Sequence, residues 1–95
     1  MITDLENFYD EHEDEFLKFD RVEHKLSNRP DLHAFLLLDK LVPGNSNMVS
    51  GAGHDEIYLD VDVDSLLAAA TEDELIELQR CGVLYSEYES LFMFR

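Results

Sequence analysis

At 95 residues the chain has room for one domain, residues 1–95, because a chain this short buries only about 60–65% of its unfolded surface and cannot divide that between two cores. A hydrophobic content of 45%, with six Phe and four Tyr, excludes a disordered acidic tail and requires a packed core. The 22 acids against 7 bases leave a formal net charge of −15, past the roughly 2–8 units that solubility asks of a small domain. Such a field excludes direct nucleic-acid binding and docking on anionic membranes, and favours basic proteins.

The single cysteine, Cys81, excludes an internal disulfide framework. With no basic-then-apolar leader and no long apolar span in view, the expected compartment is the cytoplasm, the interior of a virus particle fitting equally well.

In chain order, Thr3 and Glu6 have capping-box spacing, and Leu5, Phe8, Tyr9, His12, Phe16, Phe19, Val22 or Glu23, and Leu26 follow at steps of three and four. The pattern predicts one long amphipathic helix, acidic from Asp10 to Glu15 and basic toward Lys25. Pro30 opens a second helix to Leu41, whose run Phe35–Leu38 is apolar on nearly every side and predicts central burial or cover by a second subunit. Residues 1–42 are therefore a helical part. Residues 43–56 hold three of the four glycines and read as a flexible loop, with room for a short strand around Met48 and Val49.

From Ile57 the period changes to two, predicting a strand over 57–63 with Ile57, Leu59, Val61 and Val63 inward and Tyr58, Asp60, Asp62 and Asp64 outward. Asp64 or Ser65 then caps a short helix, and Thr71 with Glu74 forms a capping box for another ending near Cys81, with Gly82 as its C-cap glycine. Val83–Tyr85 and Leu91–Phe94 read as a hairpin joined by residues 86–90. The last strand is apolar on both faces, which predicts a place between two helix layers or at a dimer seam. The expected fold class is α+β: N-terminal helices on a small, mostly antiparallel, three-stranded sheet with a C-terminal hairpin.

Between Leu41 and Gln79 there is no Lys or Arg, but there are nine acids. On a strand, alternate side chains lie about 6.6 Å apart, so Asp60, Asp62 and Asp64 would form a row of carboxylates at a spacing of the order of that between nucleic-acid phosphates. With Glu72, Asp73 and Glu74 they make the candidate partner-binding surface, the bland alternative being a solvated strand face plus acids favoured at helix N-termini.

Other chemistry fits less well. An EF-hand loop starting at Asp60 would need Gly and Glu where Ser65 and Thr71 stand, and a looser site on Asp60 and Asp62 lacks a third ligand. His12, His24, His33 and His54 have no paired zinc-ligand spacing. Cys81, at a helix C-terminus, reads as a small core residue rather than a nucleophile. Acids are too abundant to single out a general acid–base pair, and the glycines around Gly51 and Gly53 have no nearby base to hold a phosphate. No catalytic residue, metal or cofactor is expected.

The block Asp55-Glu-Ile-Tyr-Leu-Asp-Val-Asp-Val-Asp64, with Ala70-Thr-Glu-Asp-Glu-Leu75, Arg80-Cys-Gly-Val83 and Leu91-Phe-Met-Phe94, resembles small uncharacterised proteins of tailed phages and prophages over residues 55–95. The resemblance implies an origin, and with it either an inhibitor of a host defence or DNA-handling protein or an accessory particle component; it carries over no site residues. The expected function is a non-enzymatic acidic interaction protein, a nucleic-acid mimic that occupies a basic host protein. The alternative is a structural or assembly protein that forms a homodimer through Phe92, Phe94 and Leu36–Leu38.

Overall fold

The structure, a computed structural model, describes residues 5–53, 55–85 and 91–94, Phe94 by its backbone. Among these the N-terminal stripe does not become one helix. Helix α1 spans Leu5–Glu11, followed by 3-10 turns at Glu13–Glu15 and Phe19–Arg21. The charge sequence favours the break: in a continued helix Asp10, Glu11, Glu13, Asp14 and Glu15 would repel one another at i,i+3 and i,i+4. Tertiary partners then take over. His12 Nδ1 hydrogen-bonds Phe8 O at 2.8 Å, Glu15 is drawn to Arg80, and Leu17, in the left-handed region at φ 61°, donates its N–H to Gln79 O at 3.3 Å. Leu5, Phe8, Tyr9 and Val22 of the predicted stripe are buried, whereas Leu26 is exposed. Thr3 of the predicted capping box lies outside the described residues.

Helix α2 (Pro30–Leu41) begins with Pro at its first turn, as predicted. His33, Ala34, Leu37 and Leu38 are buried, but Leu32 and Leu36 are each 42% exposed, so the leucine run is a stripe rather than an all-round core surface. Strand β1 (Val49–Ala52) lies within the stretch predicted as a loop and pairs antiparallel with β2 (Glu56–Leu59). Glycine is no obstacle there because β1 is an edge strand, and a register shift between Val49 and Gly51 absorbs the irregularity.

Strand β2 ends four residues before the predicted limit at Val63. Asp60 N–H still donates to Met48 O, but Val61 N–H turns back onto Leu59 O at 3.0 Å, a three-residue turn that ends the ladder. Asp62 then caps α3 (Val63–Ala69), accepting from Ser65 N at 3.3 Å and Ser65 Oγ at 2.6 Å; it holds the capping role predicted for Asp64 or Ser65. Helix α4 (Glu72–Arg80) opens with the predicted capping box, Thr71 Oγ1 accepting from Glu74 N and Glu74 Oε1 from Thr71 N. It closes at Gly82, whose φ of 100° follows from the left-handed exit of a helix.

Strands β3 (Val83–Tyr85) and β4 (Leu91–Phe94) pair antiparallel; their connection, 86–90, lies outside the described residues. The sheet has four strands in the order β1-β2-β4-β3, every pairing antiparallel, so the fold is α+β with one strand more than expected. Leu59 pairs with Leu91 and Val83 with Met93, which puts four buried side chains on one face against α1, α2, α3 and α4, whose Leu5, Leu38, Leu66, Leu75 and Leu78 complete the core. Each fully buried leucine contributes about 2 kcal/mol. The opposite face carries Tyr58, Leu84 and Phe92, all half-buried, with the Tyr58 and Phe92 rings 6.3 Å apart. Phe92 thus belongs to a different environment from Leu91 and Met93, and the two-sided apolar strand lies inside the sheet.

Candidate acidic binding surface

The six predicted surface acids do not form a strand row. Asp60 follows β2 and its Oδ2 accepts from Ser46 Oγ at 3.2 Å; Asp62 is the cap of α3, and Asp64 stands in its first turn. Glu72, Asp73 and Glu74 fill the first turn of α4. Five of these residues are exposed and Glu74, engaged in the capping box, is half-buried. Helix α3 has seven residues and rises about 10 Å, so the carboxylates gather at its two ends. The 6.6 Å repeat is lost, and what remains are two acidic groups, each at a helix N-terminus where the dipole favours it.

A second concentration of acid lies in the N-terminal stretch from Glu6 to Asp14. Between α1, the Glu13–Glu15 turn and edge strand β3 runs a groove of about 600 Å³ lined by Glu6, Asp10, Glu13 and Asp14 and by Tyr9, Phe16, Gln79, Leu84 and Tyr85. Its lining joins residues 6–16 to residues 79–85, a juxtaposition that no local spacing reveals. Tyr9 binds this region to α4: its hydroxyl donates to Leu75 O at 3.1 Å and its carbonyl accepts from Gln79 Nε2 at 2.9 Å. Burial, with a smaller contribution from Cys81, pushes the phenol above its ordinary range and keeps it a donor.

The basic side chains are used elsewhere. Arg80 donates Nε to Glu15 Oε2 at 2.7 Å and adds Nη2 to the same oxygen, while Arg21 meets Glu15 Oε1. The hydrogen bond from Arg80, opposed by burial and assisted by Arg21, lowers the Glu15 pKa. Two arginines are thus held by one carboxylate, and among the described residues no ion pair reaches Glu6, Asp10, Glu13 or Asp14.

The remaining reactive groups are structural. Cys81 is buried, and desolvation together with the Glu77 charge pushes its thiol up to about 12, so it is a protonated core group. His33, fully buried, accepts Leu26 N–H on Nδ1 at 3.0 Å, which leaves the ring proton on Nε2; that atom lies 3.3 Å from Glu77 Oε2 without hydrogen-bond alignment. His12 is half-buried beside Phe8, and His54 lies outside the described residues. Among the described residues no three His, Cys, Asp or Glu side chains converge as metal ligands, and no helix is long and apolar enough to cross a membrane. Comparison of the chain with protein-family models, with curated proteins and with solved structures finds no match.

Proposed function

We propose that the chain is a non-enzymatic acidic interaction protein, made by a phage and acting in the host cytoplasm, that mimics nucleic acid and occupies the basic surface of a host DNA- or RNA-handling protein. One observation carries this reading: among the described residues Asp60, Asp62, Asp64, Glu72 and Asp73 are exposed and form no ion pair, while Arg21 and Arg80 are both held by Glu15. Crowding like charge at Asp60, Asp62, Asp64, Glu72 and Asp73 opposes compactness, and a basic partner would relieve that repulsion and be steered by the field. The mimicry rests on the number and exposure of the carboxylates, because the regular strand spacing that first suggested it is absent.

The test is affinity capture from bacterial lysate at low and moderate salt, with and without competing DNA. A basic nucleic-acid-handling protein should be retained, released by DNA or by salt, and lost when Asp60, Asp62 and Asp64 become Asn. A bound protein indifferent to salt, DNA and the triple substitution would overturn the proposal.

A second reading, self-association, is favoured by one feature. Leu36 and Val49, 42% and 40% exposed, border a shallow groove with Phe35 and Met48 beside edge strand β1. Sedimentation showing a dimer that persists at low salt, and that Leu36→Asp dissociates, would support it over the first.

A further inference from the structure

We propose that the groove between α1 and β3 is the seat of an arginine side chain from the partner polypeptide, a reading that rests on the acidic-partner function above and names the contact through which it acts. Glu6 and Asp10 stand one helical turn apart on α1 and Glu13 and Asp14 follow in the 3-10 turn, and all four line the groove, so four carboxylates share one rim. That arrangement is unfavourable in the free protein. Among the described residues no Lys or Arg lines the groove and none pairs with these acids, Arg21 and Arg80 both being held by Glu15. Opposite the rim, Phe16, Leu84 and Tyr85 provide the apolar and aromatic wall against which an aliphatic stem packs and a planar guanidinium stacks.

An independent observation comes from the groove's lining. Gln79 is 1% exposed, its Nε2 is fixed on Tyr9 O, and its Oε1 has no hydrogen-bond donor. Buried acceptors without donors are uncommon in native structures. The phenolic proton of Tyr9 is already committed to Leu75 O, so the site offers acceptors and asks for donors. A guanidinium carries five donors and no acceptor, and matches this demand better than the point charge of an ammonium. The groove's volume of about 600 Å³ lies within the range of side-chain and ligand pockets.

The experiment titrates the full chain with a blocked hexapeptide of alternating Gly and Arg, its Lys counterpart and spermine, at physiological salt, followed by amide chemical shifts and calorimetry. The arginine peptide should bind tightest and move the Gln79 side-chain amide and the Tyr85 backbone amide. Asp10→Asn with Asp14→Asn should weaken it at least tenfold, against at most twofold for the charge-matched pair Asp20→Asn and Asp31→Asn. Equal weakening by both pairs, spermine binding as tightly as the peptide, or shifts that bypass Gln79 and Tyr85 would overturn the groove while leaving a general acidic surface intact. Absence of binding by every cation even at low salt would overturn the acidic-partner reading as well.

Discussion

In a protein with net charge −15, neutralising almost any carboxylate should relieve repulsion and leave stability unchanged or raised. Glu15→Gln should do the opposite. The Glu15 side chain is 12% exposed and accepts from Arg80, 26% exposed, and Arg21, 47% exposed, joining the first 3-10 turn to the end of α4 and to the second turn. Charge-assisted hydrogen bonds to a partly buried group contribute about 1 kcal/mol, and a half-exposed pair about 0.5 after screening. The loss should therefore be about 1–2 kcal/mol, a fall in Tm of roughly 5–15 °C. The sign with pH follows from the Glu15 pKa, which lies below its ordinary value of 4.5 chiefly because of the Arg80 hydrogen bond. A depressed folded-state pKa gives stability that is present above the unfolded value and lost as pH falls through the folded one. Urea titrations of the wild type, Glu15→Gln and the control Glu13→Gln should show the full gap near neutrality, narrowing below about pH 4.5, with the control equal to or more stable than wild type. A Glu15→Gln variant as stable as wild type at neutral pH, or a gap undiminished in acid, refutes this account of the network.

Gly82→Ala should cost about 1–2 kcal/mol, since φ is +100° there and an added Cβ would stand 3.0 Å from Leu17 Cδ2; combining it with Leu17→Ala should recover only the steric part, read by chemical denaturation. Cys81, with its thiol pushed up to about 12, should resist a thiol-specific disulfide reagent at mildly alkaline pH until the chain unfolds, and rapid stoichiometric labelling of the native protein would contradict its burial. Because the same thiol ionises near its ordinary 9.0 once unfolded, stability should decline as pH rises above about 9. Thr71→Ala removes the Glu74 N–H acceptor of the capping box and should destabilise by about 1 kcal/mol, recovered largely by Thr71→Ser.

The elements legible in the sequence are those whose signals are local and agree with one another. Helix α2 begins at Pro30 and α4 at Thr71 with a capping box that both partners complete, and Gly82 has the positive φ its position requires. The failures occur where two local signals compete. Spacing from Leu5 to Leu26 is helical, yet the acids from Asp10 to Glu15 repel one another along it, and Glu15 is drawn instead to Arg80, 65 residues away. Alternation from Ile57 to Val63 is equally regular, yet Asp62 and Ser65 are a cap spaced by three, and the cap wins because a helix N-terminus has donors to satisfy. Strand β1 was legible only at its start, around Val49: Ser50, Gly51 and Ala52 have little strand propensity, and pairing with Tyr58 and Ile57 makes them a strand.

The same competition separates two kinds of carboxylate. Asp62 and Glu74 accept hydrogen bonds from their own helix ends, and Asp64, Glu72 and Asp73 sit in first turns where the dipole favours them, so each has a local role in the fold. Glu6, at the favourable end of α1, has such a local reason as well. Asp10 stands in the last turn of that helix, with Glu13 and Asp14 just beyond, where the dipole opposes them, and among the described residues no base compensates them. Charge placed against its local electrostatics beside an apolar wall and an unpaired Gln79 oxygen is the less economical arrangement for folding alone. Acids at helix N-termini are what sequence patterning finds most readily, and they are the ones the fold already uses. The acids set against their local electrostatics meet the apolar residues of the groove only when α1 is set beside β3.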